Sequence, residues 1–229
     1  MAPHQRRGGS ICVLIVPGAA VRRYARPAAE SLTGRGIDAR LLPAPGEPGI
    51  PADLRGYGAQ LARQISTAAP VDLLIGLSVG AQAAAVAAAA VPPAQLGRLM
   101  LVSPTVDPSA RTTSRLLGRW LAGGRLERPR LLPEQAPDWR RAGPRRLARV
   151  ARSALAVRIE DLLPEVSAGL TVVHGERDVI TPHAYAARLA TDHCGRLILV
   201  PRATHSWPYA DADRFADTVE AVLREDVLG

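Results

Sequence analysis

Lysine does not occur in this chain of 229 residues, so all 29 basic side chains are arginines, set against 21 acidic ones. Aromatic residues make up only 3%, and the interior must therefore be built from Leu, Val, Ile and Ala. The three tryptophans, Trp120, Trp139 and Trp207, are scattered. That argues against a specific nucleic-acid surface in which basic groups alternate with stacking rings. There are two cysteines, with no C-x-x-C or metal-type spacing, which excludes a disulfide framework and a zinc ligand set. Cys12 falls in the apolar run "ICVLIV" and reads as a small buried hydrophobe, and Cys194 falls in a turn. No apolar run approaches the roughly 20 residues of a membrane helix. The first 20 residues place arginines before an apolar run, but Pro17 and Gly18 cut that run short. It fits a buried strand better than a secretory signal, and the cytoplasm is the expected location.

Hydrophobic residues make up 47% and charged residues 22%, as in an ordinary globular protein. The formal charge of +8 suits nucleic acid or an acidic partner. It is equally explained by a GC-rich coding bias, which also accounts for the abundance of Ala, Gly and Pro, acting on a solvated surface. At this length a single domain spanning 1–229 is expected.

Short runs rich in Val, Ile and Leu recur at 11–18, 37–46, 71–78, 98–104, 170–178 and 196–201. They are continuous rather than alternating, and most end in Gly or Pro. Such runs predict strands buried on both faces, as in a parallel sheet. Between them, 24–34, 52–68, 80–91, 183–192 and 208–226 have helical length and composition. The alternation predicts an α/β domain with a mostly parallel sheet of about six strands flanked by helices. Segment 105–168 breaks the rhythm. It is dense in Arg and Pro, lacks a convincing strand, and predicts two or three helices inserted over one end of the sheet.

The stretch "GLSVG" (76–80) matches G-x-S-x-G. It follows the apolar "DLLI" and precedes an alanine run. Small residues two before and two after the serine let a strand turn sharply into a helix, leaving the hydroxyl of Ser78 above the sheet. The alternative is a simple helix start with Ser78 as N-cap. A serine hydroxyl needs a base to take its proton and a third group to orient that base. "VVHGERDVITP" places Asp178 beyond one strand, and "LVPRATHSWPY" places His205 beyond the next. Separately, Asp178 could cap a helix and His205 could be a surface histidine. Together, in the order Ser, acid, His and at strand ends, they form a catalytic set. His183 is a rival base, although it sits in a helix start. His174 would shape the acid loop, and His4 and His193 carry no context. Asp107, after the fourth run, is a second candidate acid. Donors for an oxyanion are expected from the N–H of Val79 and from the N–H of Ala19, after Gly18 in "VPGAAVRRY". Gly18, Tyr24 and Trp207, in or beside these loops, are candidate substrate contacts.

With these motifs the chain resembles the α/β-hydrolase fold superfamily, from the first strand and its "PG" loop through "GLSVG" to "HGERDVITP" and "ATHSWP". It departs from the family in two places. The first visible strand corresponds to the family's third, and Pro17 stands where many members have His before Gly. The resemblance implies Ser78 as nucleophile, His205 as base and then acid, Asp178 orienting the imidazole, 105–168 as a helical lid, and no metal or organic cofactor. The leading expectation is hydrolysis of a small carboxylic ester or thioester, esterase- or thioesterase-fashion, and the charge of the insertion adds the expectation of a substrate borne on CoA or an acidic carrier protein. Arg111, Arg115, Arg119, Arg125, Arg128, Arg130, Arg140, Arg141, Arg145 and Arg146 in the lid would suit such a carrier. A non-hydrolytic acyltransferase or cyclase, and a catalytically silent binding protein, are the alternatives on the same scaffold.

Overall fold

In a computed structural model, which describes residues 10–224, the strands are β1 (Cys12–Val16), β2 (Asp38–Leu41), β3 (Val71–Leu77), β4 (Leu96–Val102), β5 (Gly169–Gly175) and β6 (Arg196–Val200). The helices are α1 (Arg26–Gly34), α2 (Leu54–Thr67), α3 (Val79–Ala90), α4 (Thr113–Gly124), α5 (Leu131–Ala156), α6 (Ile159–Leu162), α7 (His183–Thr191), α8 (Trp207–Ala210) and α9 (Ala212–Arg224). Each of the six apolar runs overlaps one of these strands, with β4 starting two residues and β5 one residue before its run. His4 and the last two positions of the final expected helix lie outside the described residues.

The strands form one sheet in the order β2-β1-β3-β4-β5-β6, with every pairing parallel. The chain winds outward from β1 to β2, then returns to place β3 on the other side of β1. That reversal opens a crevice at the carboxyl ends of β1 and β3, where open α/β sheets bind ligands.

Burial on both faces explains the unbroken apolar runs. Along β1, Leu14 and Val16 face a core formed with α2, α3 and α7, while Val13 and Ile15 face α1 and α9. Successive side chains of a strand point to opposite sides, so a strand covered twice needs an apolar residue at every position. α3 explains the alanine run. It is buried nearly all round, and a side chain on Gly58 of α2 would come within 2.5 Å of Val86, so only small residues let the two helices approach this closely.

Segment 105–168 is helical throughout its ordered parts: a short turn at Pro108–Ala110, then α4, α5 and α6. α5 breaks at Gly143, whose φ of +77° ends the first half just before Pro144. Proline lacks the amide hydrogen a helix interior needs and disfavours helical geometry in the residue before it. The second half is tied to α3 by Gln82, whose buried Nε2 donates to the carbonyls of Ala154 (2.7 Å) and Val157 (2.6 Å). Among the described residues no helix is long and apolar enough to cross a membrane.

Phe215, the only phenylalanine in the chain, is fully buried against Trp207, with ring centroids 5.6 Å apart. Phe215→Ala is expected to cost about 3–5 kcal/mol of stability through lost transfer energy and an unfilled cavity. Urea unfolding followed by circular dichroism measures this loss.

Candidate functional site

Ser78 joins β3 to α3 on a turn that only its neighbours make possible. Its φ is +53°, a region that a residue with a β-carbon rarely adopts and that is strained when it does. A β-carbon at Gly76 would lie 2.5 Å from the Cα of Ala81. One at Gly80 would lie 2.4 Å from the carbonyl oxygens of both Val16 and Pro17. The two glycines thus bring three backbones together. The amide of Ser78 is fixed by the carbonyl of Val102, at 2.9 Å. The Ser78 side chain makes no capping bond to α3, which removes the simple helix-start reading. Its Oγ instead lies 2.8 Å from Nε2 of His205.

His205 stands on the loop after β6, and its Nδ1 lies 2.8 Å from Oδ2 of Asp178. Asp178, after β5, uses its other oxygen to accept from the amides of Ile180 (2.9 Å) and Thr181 (3.0 Å). These bonds close the turn ahead of α7 and do not cap it, since its N-cap is Pro182 with no side-chain capping bond, so the helix-cap reading of Asp178 does not hold. Gly175 brings these two loops together: a β-carbon there would meet the carbonyls of Ala203 and Thr204 at 2.6 and 2.7 Å.

Burial disfavours a charged imidazole at His205, but the Asp178 charge and hydrogen bond outweigh it, with Glu127 adding to them, and the His205 pKa is raised. Asp178 mirrors this. Burial works against its ionised form, yet His205 and the amide of Thr181 hold its pKa below the ordinary carboxylate range. An ionised Asp178 accepts the Nδ1 proton, which leaves Nε2 free to accept from the hydroxyl of Ser78.

The remaining candidates are placed elsewhere. Asp107 turns away from His205. Its carboxylate accepts from the amide (3.0 Å) and hydroxyl (2.7 Å) of Ser109 and is paired with Arg119 of α4. His183 opens α7 with its ring 5.5 Å from that of His174. His174 is fully buried beneath the acid loop, and burial lowers its pKa. His193 lies in the turn after α7.

The loop after β1 comes to the same crevice. Neither the N–H of Ala19 nor that of Val79 donates a hydrogen bond within the described residues. The N–H of Gly18 is occupied by the hydroxyl of Tyr24, at 3.2 Å. Tyr24 and Trp207 require correction as candidate substrate contacts. Both belong to the core between the sheet and α1 and α9, with Trp207 only 2% exposed, because their large apolar surfaces are worth more buried than facing a polar crevice. Burial also pushes the Tyr24 phenol well above its ordinary pKa.

Three residues around this crevice escape any reading of local pattern, and all come from 105–168. Asp138 accepts from the amides of Arg22 (2.9 Å) and Arg23 (3.0 Å), and Trp139 Nε1 donates to the carbonyl of Ala19 at 3.2 Å. Glu127 accepts from Thr204 and Ser206, on either side of His205. A polar residue more than 70 positions from its partner leaves no signal in sequence; Gly175, visible in "HGERD", could be recognised only as a glycine at a strand end. No cluster of three or more His, Cys, Asp or Glu side chains suited to a metal ion occurs among the described residues.

No curated protein sequence matches this chain. Among solved structures, a hydrolase from Oleispira antarctica superposes with a TM-score of 0.80 at 15% identity, covering 95% of this chain and 92% of the other. An esterase from Exiguobacterium antarcticum gives 0.78 at 16% identity, covering 95% and 93%. An enol-lactonase from Burkholderia xenovorans gives 0.71 at 15%, covering 96% and 93%. At such identities the likeness is one of fold. The sequence model of the alpha/beta hydrolase family matches residues 13–218, and with this sheet order and the serine turn at its switch point, the chain belongs to that family.

Proposed function

We propose that the protein is a serine hydrolase cleaving a carboxylic ester or thioester through an acyl-enzyme on Ser78. The observation that carries this reading is the unbroken chain Ser78 Oγ, His205 Nε2, His205 Nδ1, Asp178 Oδ2, with 2.8 Å at each contact. As Ser78 Oγ attacks the carbonyl carbon, its proton passes to Nε2 of His205, and Asp178 stabilises the imidazolium that forms. The negative oxygen of the tetrahedral intermediate is received by the free N–H groups of Val79 and Ala19. Collapse of the intermediate expels the alcohol or thiol, which takes the proton from His205. Water then attacks the acyl-enzyme with His205 as base, releasing the acid and restoring Ser78. No metal or organic cofactor enters any of these steps.

Segment 105–168 acts as the lid of this single-domain enzyme, covering the crevice and shaping the acyl site. The names of the structural neighbours, an esterase and an enol-lactonase, support small oxygen esters as the substrate class. An anionic carrier, CoA or an acidic protein, draws support from the lid's arginines. Arg111, Arg119 and Arg141 are paired with Glu160, Asp107 and Asp138, while Arg115 and Arg146 donate to backbone carbonyls. Arg125, Arg128, Arg130, Arg140 and Arg145 are exposed and have no ionic partner among the described residues. The reaction is proposed to occur in the cytoplasm, without a specific nucleic-acid partner.

A fluorophosphonate probe tests the reading, because it phosphonylates only an activated serine. The native protein is expected to be labelled, with labelling lost in Ser78→Ala and His205→Ala. Asp178→Asn is expected to lower the rate by about 10⁴-fold, since the imidazole is then held in the wrong tautomer. Absence of labelling in a folded native protein would reject the proposal.

The raised His205 pKa sets the sign of the pH dependence. Attack needs the neutral imidazole, so the labelling rate should fall as pH drops through that pKa and level off above it. Charged His205 also contributes stability that is present below the unfolded histidine value and lost as pH rises through the folded one. A labelling-rate profile and thermal melts across pH check both trends. Carrier recognition is checked separately. Reversing Arg125, Arg128 and Arg130 to Glu should weaken turnover of acyl-CoA but not of a neutral short-chain ester, and added salt should do the same. Product analysis separates hydrolysis from acyl transfer.

A further inference from the structure

Glu127 lies in the turn that follows α4, two residues before Pro129. The turn is closed by a bond from the amide of Leu126 to the carbonyl of Gly123, at 2.8 Å. Gly123 is seated on the acid loop so closely that a β-carbon there would lie 2.4 Å from Cγ1 of Ile180, two residues beyond Asp178. The segment that delivers Glu127 is thus fixed against one catalytic loop, and the side chain reaches the other. Oε2 accepts from the hydroxyl of Thr204 and Oε1 from the amide of Ser206, both at 3.0 Å. These are the residues immediately before and after His205.

The charge of this carboxylate is also uncompensated. In a chain with 29 arginines, no arginine pairs with Glu127 among the described residues. The side chain is half-buried, so solvent screens its charge only in part. A carboxylate held only to anchor a surface turn could be paired with one of the neighbouring arginines at little cost. Here both oxygens go instead to the loop that carries the base.

We propose that Glu127 is a positioning residue of the site, a second carboxylate that brackets the histidine loop and holds His205 in register with Ser78. It makes segment 105–168 part of the reacting machinery rather than only a cover. The assignment rests on the reading of Ser78, His205 and Asp178 as a hydrolase site. A base must stay within hydrogen-bond reach of the proton it takes, and small misplacements are expensive in rate. Two bonds flanking the imidazole restrict both translation and rotation of its loop.

The charged and titratable groups facing His205 are Asp178, at its Nδ1, Glu127, from the segment after α4, and His174, from β5, with His183 behind it. Asp178 and Glu127 favour the imidazolium, whereas burial lowers the His174 pKa and works against a charge there. Removing the Glu127 charge therefore moves the His205 titration to lower pH, whereas a carboxylate remote from the imidazole would leave that titration in place.

The test compares native protein with Glu127→Gln and Thr204→Val, each checked for folding by circular dichroism. His205 is followed by NMR titration of the imidazole C–H signals and identified among the five histidines by its loss in His205→Ala. The pH profile of fluorophosphonate labelling is recorded in parallel. In Glu127→Gln, which keeps the shape, the His205 titration and the acid limb of labelling should both move to lower pH. Thr204→Val removes one bond without changing charge, so it should lower the plateau labelling rate by about tenfold while leaving the titration in place. An unmoved titration in Glu127→Gln, or a native plateau rate in Thr204→Val, would overturn the assignment. If native protein is not labelled but Glu127→Gln still shifts His205, the hydrolase reading fails and the bracket stands. If native protein is labelled and the variant leaves His205 unshifted, the hydrolase reading stands and the bracket fails.

Discussion

The molecule is organised around the place where three backbones meet with no side chain between them. At the end of β3 the chain turns through Ser78, and Gly76 and Gly80 leave space for Ala81 on one side and for the Val16–Pro17 carbonyls on the other. That contact seats α3 against the sheet and against the loop that follows β1. The strain of a positive φ at Ser78 is carried by the interlocked packing of α3, whose alanines are buried on nearly every side. A helix with larger side chains would stand further from the sheet, and the turn would lose the contacts that hold it.

Segment 105–168 touches three of the loops that reach the crevice. Gly123 and Ile180 join it to the loop of Asp178, Glu127 to the loop of His205, and Asp138 with Trp139 to the loop of Ala19. Gln82 anchors its far end to α3. A segment attached at so many points to otherwise separate loops couples them mechanically. In the proposed enzyme this would tie substrate entry to the alignment of the reacting groups.

The sheet was legible because its strands are covered on both faces, which demands apolar residues at every position and leaves unbroken runs that end where the chain turns. β6, an edge strand, keeps an apolar run although only Val200 of it is buried, and β2 departs furthest from the rule. It is an edge strand with the sequence "DARL" and intermediate burial, visible mainly through the Leu and Pro residues that follow it. Segment 105–168 was legible only as helical and inserted. The break at Gly143 and the docking of its two halves depend on contacts with elements far away in the chain. Trp207 and Tyr24 were misplaced for a related reason. A large ring near a functional loop has the same sequence signature whether it faces a ligand or the core, and here the core between the sheet, α1 and α9 takes both.

The sequence by itself determined the α/β class, the order of strands and helices, and the serine, acid and histidine residues carried at strand ends. These features are local: hydrophobic period, glycine spacing around a serine, and turn residues after an apolar run are all written within a few positions. Only the tertiary structure decided that Asp178 rather than Asp107 meets His205, because Arg119 and Ser109 draw Asp107 toward α4. Only it brought Glu127, Asp138 and Trp139 to the crevice. Such choices depend on which distant groups share a few ångströms of space, and no local pattern encodes that distance.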